Sequence, residues 1–260
     1  MICSEIIKII EQDFPKEFAL EWDNVGLLAG RTLKEVNRIY IALDATDEVI
    51  AGAGEKKADM LITHHPLIFS PIKQVTDADF ISKRLVQMIQ NDISYYAMHT
   101  NYDVLRMGEL AGKKLGLNHT AVLDITHSDE AGDWGIGVVA QLETPVTLGS
   151  YCERVKQSFA LETVRVFGDI NQEVSRIAVS PGSGKHMTEA AIKMNADVLI
   201  TGDIDHHEGI DANAREVAII DAGHYGVEYI FIEDIRIYIE SKFPGIQVMT
   251  APVHHPFRVV

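Results

Sequence analysis

Two rhythms of apolar and polar positions run along this chain. At its start, MICSEIIKIIEQDFP puts Ile2, Ile6, Ile9 and Ile10 on one helical face among charged residues, which predicts an amphipathic helix. Short β-branched runs follow at Ile39–Leu43, Asp59–Thr63 and Ser94–Met98, with helical periodicity over 46–57 and 77–90 between them. The same succession returns later. Runs at Ile177–Val179, Asp197–Thr201 and Val217–Ile220 alternate with helices predicted over 185–194 and 208–215. Strand, helix and strand in this order predict crossover units and parallel sheets.

The recurrence is visible residue by residue. Segment 38–63, RIYIALDATDEVIAGAGEKKADMLIT, aligns without a gap on segment 176–201, RIAVSPGSGKHMTEAAIKMNADVLIT. Arg38 matches Arg176, Ile39 matches Ile177, Ala53 matches Ala191, and both copies contain Ala-Asp-x-Leu-Ile-Thr. The fold expected is α/β, with two pseudo-repeated lobes and mixed sheets. The first lobe is expected over 1–126 and the second over 127–260, the last helix and strand packing back on the first lobe. Between the repeats, Asp133–Ala140 reads as a turn into a strand, and Glu162–Phe167 as another, so antiparallel strands should join the second lobe. Ser150-x-x-Glu153 has the form of a capping box for a helix reaching Phe159. Tyr225–Lys242 reads as helical, Pro244-Gly245 as its stop and Ile246–Thr250 as a last strand.

Composition narrows the class. The 260 residues are 47% hydrophobic and 23% charged, an ordinary mix for a chain with a sizeable core. Only two cysteines occur, Cys3 and Cys152, which suits a reducing, cytoplasmic setting rather than a disulfide scaffold. No apolar run approaches the ~18 residues needed to span a bilayer, so no membrane role is expected. The balance of 23 basic and 38 acidic residues gives a net charge of -15. That disfavours nucleic acid, whose binders present basic faces, and suits a protein that attracts cations.

Polar clusters close the apolar runs in both halves, where open α/β sheets place their sites. Both lobes are therefore expected to contribute to one site, in the cleft between them. His64-His65-Pro66 follows the run Met60–Thr63. On an extended backbone the two imidazoles should point to opposite sides, each available to one of two neighbouring ions. A turn with two half-exposed histidines is the plainer alternative. His224 and Glu228 stand four residues apart, on one face near a helix start. That pair suits zinc, manganese or iron, although the spacing also occurs by chance on solvated helices. Asp103, in His99-Thr-Asn-Tyr-Asp103, could bridge two cations or equally make a turn or cap. Together these are three histidines and two carboxylates, about the ligand count for two ions sharing a bridging carboxylate.

Ser180-Pro-Gly-Ser-Gly-Lys185 reads as a strand-to-helix turn, either a plain tight turn or a cradle for phosphate through Gly182, Ser183 and Gly184. It is not a Walker A loop, since Val179 stands where the first glycine belongs. Thr201-Gly-Asp203-Ile-Asp205-His206-His207-Glu208 occupies the place of His64-His65-Pro66 in the second half and could supply a general base. His254-His255-Pro256 echoes the first pair without a partner carboxylate and reads as surface or subunit contact.

The ordered set of Glu21-Trp-Asp-Asn-Val-Gly-Leu-Leu, Ile62-Thr-His-His-Pro-Leu, His99-Thr-Asn-Tyr-Asp103, Leu199-Ile-Thr-Gly-Asp203 with His207, and Asp221-Ala-Gly-His224 followed by Glu228 resembles the Nif-three-like dinuclear-metal family. Its members are often called GTP cyclohydrolase 1 type 2 homologues. The resemblance spans essentially the whole chain, in the compact form without an inserted domain. It implies two divalent ions, of zinc, manganese, iron or cobalt, held by His64, His65, Asp103, His224 and Glu228 with both carboxylates bridging. It also implies a toroidal homohexamer. The activity it implies is hydrolysis of a nucleotide-like substrate; within such a site His99, Asp203 or His207 could move protons, His99 alternatively orienting its neighbours, and the Gly182–Gly184 turn could hold phosphate. A metal-dependent phosphoesterase and a non-catalytic metal-handling or regulatory ring are the alternatives.

Overall fold

The computed structural model describes all residues, 1–260. Eleven strands and ten α-helical segments form two mixed sheets, the two-sheet α/β architecture expected from the repeated pattern. The chain divides into two compact units, residues 1–102 with 231–253, and residues 103–230 with 254–260.

The first unit opens with α1 (Cys3–Asp13), which buries Cys3, Ile6 and Ile10. Strands β1 (Gly26–Ala29), β2 (Arg38–Ala42), β3 (Met60–Thr63) and β4 (Ser94–Ala97) follow, with α2 (Asp47–Glu55) and α3 (Phe80–Gln90) as crossovers. Thr46 caps α2 by accepting from the Val49 N–H, and Asp79 caps α3 by accepting from Ile81 and Ser82. The sheet order is β1-β4-β3-β2-β11, where β11 (Gln247–Thr250) lies parallel to β2 and only β1 is antiparallel. Strands β3 and β4 are buried along their whole length, so they read as unbroken apolar runs rather than alternating ones. Helices α2 and α3 pack Ile50, Ala53, Leu85 and Met88 against Tyr40, Leu61 and Tyr95. The later helix α10 (Ile230–Lys242) returns to this unit, where Tyr238 and Lys242 bind Asp13 of α1.

The short helical run α4 (Thr100–Tyr102) still belongs to the first unit; the second begins with a wider π turn at Asp103–Met107 and α5 (Gly108–Lys114). Helix α5 packs on β6 and β8, which draws residues 103–126 to the second sheet although the repeat had suggested a boundary after 126. That sheet has the order β5-β6-β8-β9-β10-β7. Its strands are β5 (Ala121–Asp129), β6 (Gly132–Thr147), β7 (Arg165–Phe167), β8 (Glu173–Ser183), β9 (Val198–Gly202) and β10 (Ala218–Asp221). Strands β8, β9 and β10 are parallel, and β5, β6 and β7 are the expected antiparallel additions. The helices are α6 (Leu148–Ser158), α7 (Met187–Lys193), α8 (His206–Ala214) and α9 (His224–Glu228).

One cap differs from expectation. Thr147, not Ser150, caps α6, its hydroxyl accepting from the Ser150 N–H at 3.2 Å. The helix starts earlier because Leu148, Tyr151, Cys152 and Val155 form its buried face, and Leu148 must already be helical to join them.

The repeat holds at the level of single hydrogen bonds. In the first sheet Ile39 pairs with Met60 and Ile41 with Ile62; in the second, Ile177 pairs with Val198 and Val179 with Ile200. Asp59 accepts from the N–H groups of Asn37 and Arg38, and Asp197 accepts from those of Ser175 and Arg176. In both units one carboxylate thus ties the start of the first strand to the start of the second.

Candidate metal centre

The chain bends where β3 ends. Thr63 Oγ1 donates to the His65 carbonyl at 2.8 Å, and the His65 N–H donates to Leu43 O at 3.0 Å. The buried Tyr95 hydroxyl lies 3.1 Å from the same His65 carbonyl and accepts from the Leu67 N–H at 2.8 Å. Burial pushes that phenol up to about 12, so it remains a neutral donor at ordinary pH. This bend changes the expected geometry. His64 and His65 do not diverge as on an extended strand, for their ring centroids lie 4.9 Å apart. His99, just past the end of β4, joins them at 5.1 Å from His64 and 5.6 Å from His65. One ring nitrogen from each of the three falls within 4.8 Å of the others, a spacing able to hold a metal ion.

Each of these rings is fixed through Nδ1. His64 Nδ1 meets the Met98 carbonyl at 2.8 Å, His65 Nδ1 meets Asp44 at 2.7 Å, and His99 Nδ1 meets Asp23 at 2.9 Å. A ring so held carries its proton on Nδ1 and presents Nε2 for coordination, the usual arrangement of metal-ligating histidines. The Asp23 side chain is wholly enclosed. Burial alone would raise its pKa, but the contacts with His99 and Thr100 outweigh that and bring it down to about 2. Asp23 therefore stays anionic.

The second unit holds His224 in the same way. Its Nδ1 meets Asp203 Oδ2 at 2.8 Å, and its Nε2 stands 2.9 Å from Glu228 Oε2. Two donors bound to one ion at about 2.0–2.2 Å stand roughly 3 Å apart, so this separation matches a shared cation. Glu228 is 3% exposed. Gly182 makes room for it: a Cβ there would meet Glu228 Oε1 at 2.4 Å, and the residue has φ +85°. A Cβ on Gly202 would likewise meet the His224 N–H nitrogen at 2.3 Å, so β9 admits α9 only because position 202 is bare. Asp221 fixes the preceding turn by accepting from Gly223 at 2.9 Å and from Ile204 at 3.2 Å, and by pairing with Arg165. Asp103 opens the π turn that follows β4 and is half-buried. Such widened turns often mark functional positions.

Other expected participants are placed differently. Asp203 serves His224 as an orienting acceptor. His207 is exposed on α8, its ring 5.2 Å from His206, and Asp205 caps that helix. Residues 180–183 continue strand β8 rather than forming a loop, and the Gly184 N–H donates to Gly202 O at 2.7 Å. Helix α7 starts only at Met187, so Gly182, Ser183 and Gly184 do not present a ring of N–H groups at a helix start. His254 donates its N–H to the Tyr225 hydroxyl at 2.9 Å, and His255 stacks edge-on to Tyr225. The tail thus packs on α9 of its own chain. The orienting residues Asp44 and Asp23 escaped sequence reading. Asp44 follows the β2 run and Asp23 sits in Glu21-Trp-Asp-Asn, but each acts on a histidine 21 or 76 residues away.

Comparison with known proteins gives a consistent picture. The sequence profile of the family described as Duf34/NIF3 (NGG1p interacting factor 3) matches residues 1–256. A Clostridium acetobutylicum protein named GTP cyclohydrolase 1 type 2 homolog is 37% identical over 227 residues, covering 86% of this chain and 84% of its own. A Streptococcus pneumoniae protein of the same name is 33% identical, covering 98% of this chain and all of its own. The crystal structure of a Bacillus cereus protein related to NIF3 superposes with a TM-score of 0.92 at 26% identity, over 100% of this chain and 99% of that one.

Proposed function

This chain belongs to the Duf34/NIF3 family, and from that membership we propose that it is a metal-dependent hydrolase in which His64, His65, Asp103, His224 and Glu228 together hold two divalent cations. The observation that carries the reading is the fixing of Nδ1 in His64, His65 and His224, by a carbonyl, Asp44 and Asp203, so that all three present Nε2. Imidazole nitrogens mixed with carboxylate oxygens suit zinc, manganese, iron or cobalt. A bound pair of such ions supplies Lewis acidity, lowering the pKa of water and neutralising charge that develops on a substrate.

The chain's own residues supply the rest. Asp44 and Asp203 keep two ligand rings in one tautomer and one orientation. His99, backed by the anionic Asp23, can hold or pass a proton at Nε2, as a general acid–base group must. The name shared by the curated relatives directs the substrate reading to a nucleotide such as GTP, with attack at C8 of guanine and ring opening to release formate. A homohexamer in the cytoplasm is the expected setting; in the chain itself no helix is long and apolar enough to cross a membrane.

The test is elemental analysis together with turnover of GTP and of a model phosphodiester. Two ions per chain are expected, with both metal and rate lost in His64→Ala and in Glu228→Ala. Both variants retaining full metal content and rate would refute the site. Metal retained by the native chain, with no turnover on either substrate, would move the reading to metal handling.

A further inference from the structure

Two large aromatic side chains stand in solvent beside the histidine cluster of the first unit. Trp22 is 56% and Phe69 55% exposed. Their ring centroids are 5.5 Å apart with planes tilted by 38°. His99 lies 6.0 Å from Trp22 and 6.5 Å from Phe69, edge-on to both. The loops that carry them are tied together: Asn24 Nδ2 donates to Ile68 O at 2.6 Å, and the Asn24 N–H donates to Asp23, the residue that holds His99. Platform and cluster are therefore built on the same few residues and cannot drift apart. Next to Phe69 opens a cavity of about 540 Å³, lined by Ile68, Phe69, Ser70, Lys73 and Gln74 among others. That size lies within the range of small-molecule sites.

We propose that Trp22 and Phe69 form a stacking platform for the planar heteroaromatic ring of the substrate, holding it against His99 at the metal ligands. The cavity beside Phe69 then takes the sugar and phosphates, with Lys73 on its wall. The proposal rests on the hydrolase reading and names its substrate class. Three features favour a heterocycle over an aliphatic chain. Both exposed side chains are aromatic rather than aliphatic, and aromatic side chains stack on any base because every base has a π face. His99 and Asn24 border the platform with polar atoms, which a heterocycle can meet and a hydrocarbon cannot. Lys73 and Asp79 both line the cavity, so the lysine gives phosphates a positive partner beside a carboxylate already held by the Ile81 and Ser82 N–H groups.

The experiment is fluorescence titration of the metal-loaded protein with GTP, guanosine and ribose 5-phosphate. The chain has two tryptophans, Trp22 and Trp134, so Trp22→Phe, left with Trp134, is the control. GTP and guanosine should quench the native protein saturably, ribose 5-phosphate should not, and W22F should lose the quench. In equilibrium dialysis, Trp22→Ala and Phe69→Ala should each weaken guanosine binding about ten-fold or more, which is the scale of one stacked base, while metal content stays constant. Absence of quenching by either guanine ligand overturns the platform. So does unchanged guanosine binding in W22A and F69A, particularly if those variants fall to a smaller oligomer, which would assign the aromatics to a contact between copies. Failure of the hydrolase reading looks different: quenching without turnover rejects hydrolysis and keeps the platform, whereas turnover without quenching rejects the platform alone.

Discussion

The two units share a frame and use it differently. The repeat places Asp44 against Gly182 and His65 against Asp203. In the first unit the end of the first repeat strand orients, through Asp44, and the end of the second carries the proposed ligand, His65. In the second unit the first strand end is bare, at Gly182, the second orients, through Asp203, and the proposed ligands stand after the third strand, at His224 and Glu228. The roles have slid across by one strand while the backbone hydrogen bonds stayed in place. In both repeats the sequence also places a histidine four residues ahead of a carboxylate after the third strand, His99 with Asp103 and His224 with Glu228. A duplicated scaffold can thus diverge in chemistry by exchanging donor and support without changing register.

The largest expected effect comes from Glu228, the buried carboxylate among the proposed ligands. Glu228→Gln keeps the shape and removes the charge; metal affinity measured by competition with a chelator should fall by more than about 100-fold, beyond the ~10–100-fold that outer partners contribute. Next come the supports. Asp44→Asn and Asp203→Asn should each weaken metal binding by about 10–100-fold. Unequal losses would reveal which unit sets the affinity. Equal losses in Asp44→Ala and Asp203→Ala, with the asparagines harmless, would mean that shape alone orients the rings.

The shared frame gives a matched pair. Asp59→Ala and Asp197→Ala each leave two backbone N–H groups without their acceptor, and each should cost about 1–3 kcal/mol in urea unfolding. A loss confined to one of the two would show that the units are less equivalent energetically than their hydrogen bonds are. The smallest effect concerns α10. Contacts with Lys242 and Tyr238 hold the Asp13 carboxyl below its ordinary pKa, against the opposing pull of burial. A depressed carboxylate stabilises above its unfolded pKa, and that contribution fades as pH falls through the folded value. Asp13→Asn should therefore cost under about 1 kcal/mol at pH 7, and the native and variant curves should converge below about pH 4.

Much of this was legible in the chain because parallel strands announce themselves locally. The apolar runs at 39–43, 59–63, 177–179 and 197–201 became β2, β3, β8 and β9, since burial on both faces demands unbroken hydrophobicity. The histidines and carboxylates at the strand ends were legible for the same reason. What failed depended on contacts distant in sequence. Whether Ser180–Ser183 is a loop or a strand depends on pairing with β9, and the glycines suited either. The bend at His64-His65 is held by Leu43 and Tyr95, 22 and 30 residues from His65, as well as by the nearby Thr63, so local preference alone does not report it. Ser150 and Thr147 can both cap a helix locally, and the burial of Leu148 places the start of α6 at Thr147.

The parallel pairing of β11 with β2 has a consequence for synthesis. Residues 38–42 leave the ribosome early, yet their outer neighbour is encoded near the other end, at 247–250. During translation the first sheet must wait with an open edge, and such edges are prone to stray pairing. The second sheet needs only residues 121–221 and can close while the first is still waiting. The half of the protein that is made first is completed last, so protease resistance around residue 40 of a stalled nascent chain should appear only once residue 250 has cleared the exit tunnel.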